Sequence, residues 1–104
     1  MSLDIVILGR NGKPESQVRC ELGVHDQLIK IVVAKKESFS LLERLKDYYS
    51  DTRYQTEELS GLLDEIKAAV PRTKHQELIA FLMDFEGIVR KAIDQNSSLE
   101  AIAD

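Results

Sequence analysis

The segment His75 to Asn96, HQELIAFLMDFEGIVRKAIDQN, constrains the fold of this chain more than any other. Leu78, Phe81, Leu82, Phe85, Val89, Ala92 and Ile93 recur at intervals of three and four, the spacing of one face of an α-helix. Glu77, Asp84, Lys91 and Asp94 fall on the opposite side, with Ala80 and Gly87 between them. Such a helix extends about 33 Å, enough to cross a small domain. Its apolar stripe must be covered, and the remainder of the chain has to supply the cover.

The nearest cover is the segment before it. Leu59, Leu62, Leu63, Ile66 and Val70 form a second helical stripe, with Thr56 as a cap and Glu57 and Glu58 complementing the dipole of the first turn. Pro71 ends that helix because it lacks an amide hydrogen and clashes with the preceding turn. Thr73 and Gln76 have the spacing of a capping box for the long helix. So short a joint predicts an antiparallel helix hairpin.

The N-terminal third has a different period. Leu3–Leu8 is aliphatic on both faces, which predicts an interior strand, with Leu3, Ile5 and Ile7 on one side. Gly9 to Pro14 contains an Asn-Gly turn signal. Val18, Cys20 and Leu22 then alternate with Gln17, Arg19 and Glu21, so a β-hairpin is expected, closed at Gly23. From His25, the residues Leu28, Ile31, Val32 and Lys35 fit a short helix with Asp26 in its first turn, although Ile31-Val32-Val33 is also compatible with a strand. Phe39, Leu42 and Leu45 predict another short helix, capped by Ser40 with Glu43 or by Ser38. Residues 50–55 are expected to be polar loop, and residues 97–104 a single docked turn or a frayed tail. The expectation is an α+β fold: one globular domain over residues 1–104, with an N-terminal β-hairpin packed on a small helical bundle whose core is the helix hairpin.

Composition narrows the function by exclusion. One cysteine excludes an intramolecular disulfide framework. The apolar run near the N-terminus is too short for a signal segment, and no run is long enough for a membrane span. A cytoplasmic protein with no membrane association is therefore expected. Residues 1–50 carry eight Lys/Arg against seven Asp/Glu, and residues 51–104 six against eleven. That surplus of acid repels phosphate backbones and attracts basic proteins. Lys30, Lys35 and Lys36, or Arg44 and Lys46, are too interrupted by acids for a nucleic-acid footprint.

No motif spells out a reaction. Cys20, His25 and His75 lack metal-ligand spacing, and no glycine-rich phosphate loop occurs, so neither metal nor cofactor is expected. A Cys20–His25 nucleophile pair, or carboxylates of the acidic helices, would be the basis of a small enzyme, but no orienting group accompanies them. The most unusual composition lies at Leu45–Tyr54, where all three tyrosines fall within seven residues. Tyr and Arg supply large contact area at recognition surfaces. The expected contact residues are Tyr48, Tyr49, Asp51, Arg53 and Tyr54, extended by Glu57, Glu58 and Glu65, although at least one of Tyr48 and Tyr49 is expected to pack its ring against the helix hairpin with its hydroxyl in water. The sequence therefore points to a non-catalytic domain that occludes a basic protein partner, in the manner of an inhibitor, antitoxin or immunity protein. A self-associating assembly subunit, such as a homodimer, is the alternative.

Overall fold

The computed structural model describes residues 2–8 and 14–103. The expected Asn-Gly turn lies outside the described residues. The elements, in chain order, are β1 (Leu3–Leu8), β2 (Pro14–Cys20), α1 (Leu22–Ala34), α2 (Ser40–Glu43), β3 (Thr52–Tyr54), α3 (Leu59–Ala69), α4 (Gln76–Gln95) and β4 (Leu99–Ala103). Short 3-10 turns at Thr56–Glu58 and Val70–Arg72 precede and follow α3. The fold is α+β, as expected, but the β component is a four-stranded antiparallel sheet of order β2-β1-β4-β3 instead of an isolated hairpin.

The difference comes from two segments expected to be irregular. Leu99–Ala103 is neither a docked turn nor a frayed tail; it is a strand paired with β1 on one side and β3 on the other. Its composition, Leu-Glu-Ala-Ile-Ala, gives no intrinsic strand signal, and the register decides the conformation: Ile5 faces Ala101 and Ile7 faces Leu99. The route into the sheet is set by Asn96, which ends α4 in the left-handed conformation at φ 53°. The Ser97 N–H then closes on the Ala92 carbonyl at 2.9 Å, reversing the chain after the helix. Residues 52–54, expected to be loop, form an edge strand because β4 offers them a ladder.

One face of the sheet carries the core. Leu3, Ile5, Ile7, Cys20, Leu99, Ala101 and Tyr54 are buried with the apolar faces of the helices. The other face carries two cross-strand rows: Gln17–Val6–Glu100–Arg53 and Arg19–Asp4–Ile102. Each row contains an ion pair, Arg53–Glu100 at 3.7 Å and Arg19–Asp4 at 3.4 Å. β1 is interior, as its two apolar faces implied, and Val6 on the outer face is itself buried.

The helices follow the expected stripes with local shifts. α4 buries Leu78, Phe81, Leu82, Phe85, Val89 and Ala92, and adds Ile88 to the set, while Ile93 in the last turn is exposed. α3 buries Leu59, Leu62, Ile66 and Ala69 and packs against α4. α1 is a helix, with Leu28 and Val32 buried one turn apart. It begins at Leu22, so Gly23 lies in its first turn instead of closing the hairpin, and Asp26 falls beyond that turn.

Because β4 bridges β1 and β3, its removal separates the N-terminal hairpin from the rest of the sheet. A chain ending at Asn96 is expected to lose cooperative urea unfolding and near-ultraviolet dichroism. A frayed tail would leave both unchanged.

Candidate functional site

The tyrosine-rich segment builds joints of the fold more than it builds a surface. Tyr54 is 0% exposed, and its hydroxyl donates to the Leu41 carbonyl at 2.7 Å. Burial pushes its hydroxyl pKa well up, partly offset by the nearby Arg44 charge. Tyr48 is also buried and donates to the Cys20 carbonyl at 3.2 Å. The expectation that these two rings meet a partner is therefore corrected: alternation in β3 turns Tyr54 into the core, and Tyr48 closes the end of β2.

Arg44, which the sequence suggested only for a minor basic patch, holds this region together. Its guanidinium lies 4.8 Å over the Tyr54 ring, pairs with Glu58 at 2.7 Å and donates to the Arg53 carbonyl. It thereby covers the outer edge of β3. Thr52 adds a bond from its hydroxyl to the Arg44 carbonyl at 2.9 Å.

Several of the expected contact acids are likewise structural. Glu65 accepts from the backbone N–H groups of Leu41 and Leu42 at 2.9–3.1 Å, so a carboxylate on α3 caps α2. This replaces the expected caps of α2 at Ser40 or Ser38, since α2 has no side-chain cap of its own. Glu58 accepts from the Gln55 N–H at 2.8 Å, in place of the expected Thr56 cap. Asp51 accepts from Ala103 N–H at 2.8 Å and fastens the end of β4. Arg53 points to the outer sheet face and pairs with Glu100.

Tyr49, Asp51, Arg53 and Glu57 are exposed, and of these Tyr49 and Glu57 are not engaged in holding the sheet. Tyr49 is 62% exposed and sits on a turn closed by Asp47, whose carboxylate accepts from the Tyr49 N–H at 2.9 Å and the Ser50 hydroxyl at 2.7 Å. The Ser50 bond, reinforced by the Tyr49 N–H, holds the Asp47 carboxyl below its ordinary pKa. Beneath Tyr49, the Tyr48 ring makes an edge contact at 5.5 Å, which braces the exposed ring.

Cys20 and His25 belong to one buried neighbourhood joined by Tyr48. The His25 ring meets the Tyr48 ring edge-on at 4.9 Å, and Tyr48 bonds the Cys20 carbonyl. His25 Nε2 lies 2.6 Å from the Leu45 carbonyl, which can only accept, so that nitrogen carries the proton. Nδ1 is buried with no hydrogen-bond partner. Burial, with a smaller contribution from Glu21, pushes the Cys20 thiol up to about 12. That is the opposite of the thiolate activation a nucleophile requires. Among the described residues, no group of three or more His, Cys, Asp or Glu could hold a metal ion, and no helix is long and apolar enough to cross a membrane.

Two concave features were not visible in the sequence. A groove of about 620 Å³ runs between the edge of β2 and α4, lined by Ser16–Arg19 with Met83, Gly87 and Lys91 among the α4 residues. A cavity of about 340 Å³ lies between α1 and the start of α4, and Lys30, Arg72, Lys74 and His75 all line it. The only local signal for the second was the clustering of basic residues after Pro71.

Glu65→Ala should leave the first amides of α2 without acceptors and cost about 1–3 kcal/mol of folding stability, measured by urea denaturation. A surface carboxylate available for a partner would cost almost nothing. Compared with known proteins, the chain matches no family model, no curated protein and no solved structure.

Proposed function

We propose that this is a non-catalytic protein-binding domain that covers a basic surface of a partner protein, as an inhibitor, antitoxin or immunity protein does. The observation that carries the proposal is Tyr49, an exposed aromatic ring held on a hydrogen-bonded turn and braced from below by Tyr48. A ring fixed before binding contributes contact area without a large cost in ordering. Asp47 and Asp51 flank it in the chain, and Asp47 is kept ionised by its hydrogen bonds. Glu57, Asp64, Glu77, Asp84 and Asp94 are exposed and form no ion pair among the described residues. Unpaired carboxylates of this kind speed the approach of a basic protein. A cytoplasmic setting accompanies this reading.

Self-association is the second reading, and the edge of β2 favours it. That strand has seven residues and ends the sheet, whereas the three-residue β3 edge is covered by Arg44. The adjacent groove leaves Met83 64% exposed and Gly87 facing open space. A register shift in the pairing of β1 with the Pro14 end of β2 shortens the regular edge available to a second strand.

An affinity pull-down from a native-host extract at low and high salt separates the two readings. The occlusion reading expects a basic protein at near-equal stoichiometry, released by salt. Tyr49→Ala should weaken its capture at least about tenfold without lowering the Tm. Recovery of this chain alone, at twice its 11.8 kDa mass in sedimentation, would instead support self-association. Capture unaffected by Tyr49→Ala would remove that ring from the interface.

A further inference from the structure

We propose, resting on the self-association reading, that a second copy of this chain occupies the groove beside β2, about a two-fold axis that passes Val18 of β2 and Gly87 of α4. The two four-stranded sheets then join edge to edge, and the two α4 helices lie antiparallel beside the seam. β2 is the uncovered edge of the sheet, so its outward backbone groups have no strand to bond. Gly87 gives the first indication of what approaches there. Glycine in the middle of a twenty-residue helix weakens it relative to alanine, and the chain's own packing does not require one at this position. In α3 the reason for a glycine is local: a Cβ at Gly61 would come within 3.2 Å of Leu41 Cδ1. A Cβ at Gly87 would meet nothing within 4 Å among the described residues, yet Gly87 is exposed and lines the groove. It is placed for close approach from outside, since the distance between two packed helices is set by the side chains at their crossing.

The strand places the axis at the same level. β2 pairs regularly with β1 from Ser16 to Cys20, and the register shift lies on the Pro14 side of that stretch. Two antiparallel β2 edges that use all of it centre on Val18. A two-fold axis keeps each sheet face on its own side, so Val18 meets Val18 and Ser16 meets Cys20 on the core side, and Arg19 meets Gln17 on the outer side. No like charges face each other in this register. On the helix, Lys91 Nζ donates to Ser16 Oγ at 2.6 Å. From that bond β2 runs on to Arg19 while the groove runs back along α4 to Met83, so strand and helix are antiparallel. Ser16 to Val18 is about 6.6 Å of strand, which a helix covers in about four residues, so Val18 is level with Gly87.

Charge selects a second copy as the occupant. Asp84 lies three residues before Gly87 and Lys91 four after it, and both are exposed residues of the groove wall. Neither forms an ion pair among the described residues. With the helices antiparallel and Gly87 at the crossing, Asp84 of each copy comes opposite Lys91 of the other, offset along the axis by about one residue's rise. Symmetry makes that pair twice. An isologous contact needs such self-complementary spacing, whereas an unrelated strand does not. Met83, an exposed apolar side chain of the same wall, is covered by the same contact.

Sedimentation equilibrium of the intact chain, from about 10 μM to about 1 mM, tests the proposal. The chain should follow a monomer–dimer equilibrium. Gly87→Leu should raise the dimer Kd at least about tenfold, because the added side chain holds the two helices apart. The same variant should not lower the urea midpoint at a concentration where the chain is monomeric, since its own fold leaves that space open. Asp84→Lys and Lys91→Asp should each raise the Kd at least about tenfold, and the double variant should return to within about threefold of the parent. A chain that stays monomeric up to about 1 mM would overturn the self-association reading together with this interface. Capture of another protein by that monomeric chain, lost in Gly87→Leu, would assign the groove to a foreign segment instead. A dimer unaffected by Gly87→Leu, or a double variant as weak as the single ones, would overturn this interface alone.

Discussion

The structure depends on the backbone ladder that β4 makes with strands on both its sides. β1 and β2 are joined locally, but an isolated hairpin is marginal in water. β3 has three residues and no partner other than β4 within the sheet. The last strand of the chain therefore closes the sheet between the first strand and the shortest one, and gives β1 a neighbour on each edge. Ladder formation also aligns Leu3, Ile5, Ile7, Leu99 and Ala101 on the face that the helices cover. Without β4, β1 would lose one of its two neighbours and β3 its only ladder.

The polar groups of the middle segment support the same arrangement. Tyr54, Arg44, Glu58 and Thr52 connect β3 to α2 and to the turn before α3, and Glu65 connects α3 to the start of α2. Asp51 ties the end of β4 to the segment before β3. These bonds satisfy backbone groups that short elements leave unpaired, since α2 has four residues and β3 three. The tyrosine and carboxylate content that makes residues 48–65 resemble a contact surface is thus largely spent inside the fold. The proposed occlusion role rests on what is left over: Tyr49 on its turn, and exposed carboxylates that form no ion pair among the described residues.

Legibility in the sequence followed the range of the interaction that decides each element. The stripes of α3 and α4, the two apolar faces of β1 and the alternation of β2 are set by residues within a few positions of one another, and they could be read directly. The strand at Leu99–Ala103 is set by β1, nearly a chain length away, while of its own residues only Ile102 favours a strand. The caps behaved in the same way. Ser40, Thr56 and Thr73 had suitable local spacing, but α2 takes Glu65 from 24 positions away from Leu41, and Thr73 bonds His75 instead. Of the three tyrosines, Tyr49 retained its exposure because it lies outside both β3 and the core. The basic cavity was invisible because Lys30 and Arg72 meet only through the packing of α1 near the start of α4.

Hydrogen exchange of the β4 amides under native conditions tests the central dependence most directly. If β4 completes the sheet, the hydrogen-bonded amides of Leu99–Ala103 should exchange only through global unfolding, with the same protection free energy as those of Leu3–Ile7. Protection of β1 at the global level together with rapid exchange across all of Leu99–Ala103 would contradict it, since the sheet would then stand without its last strand.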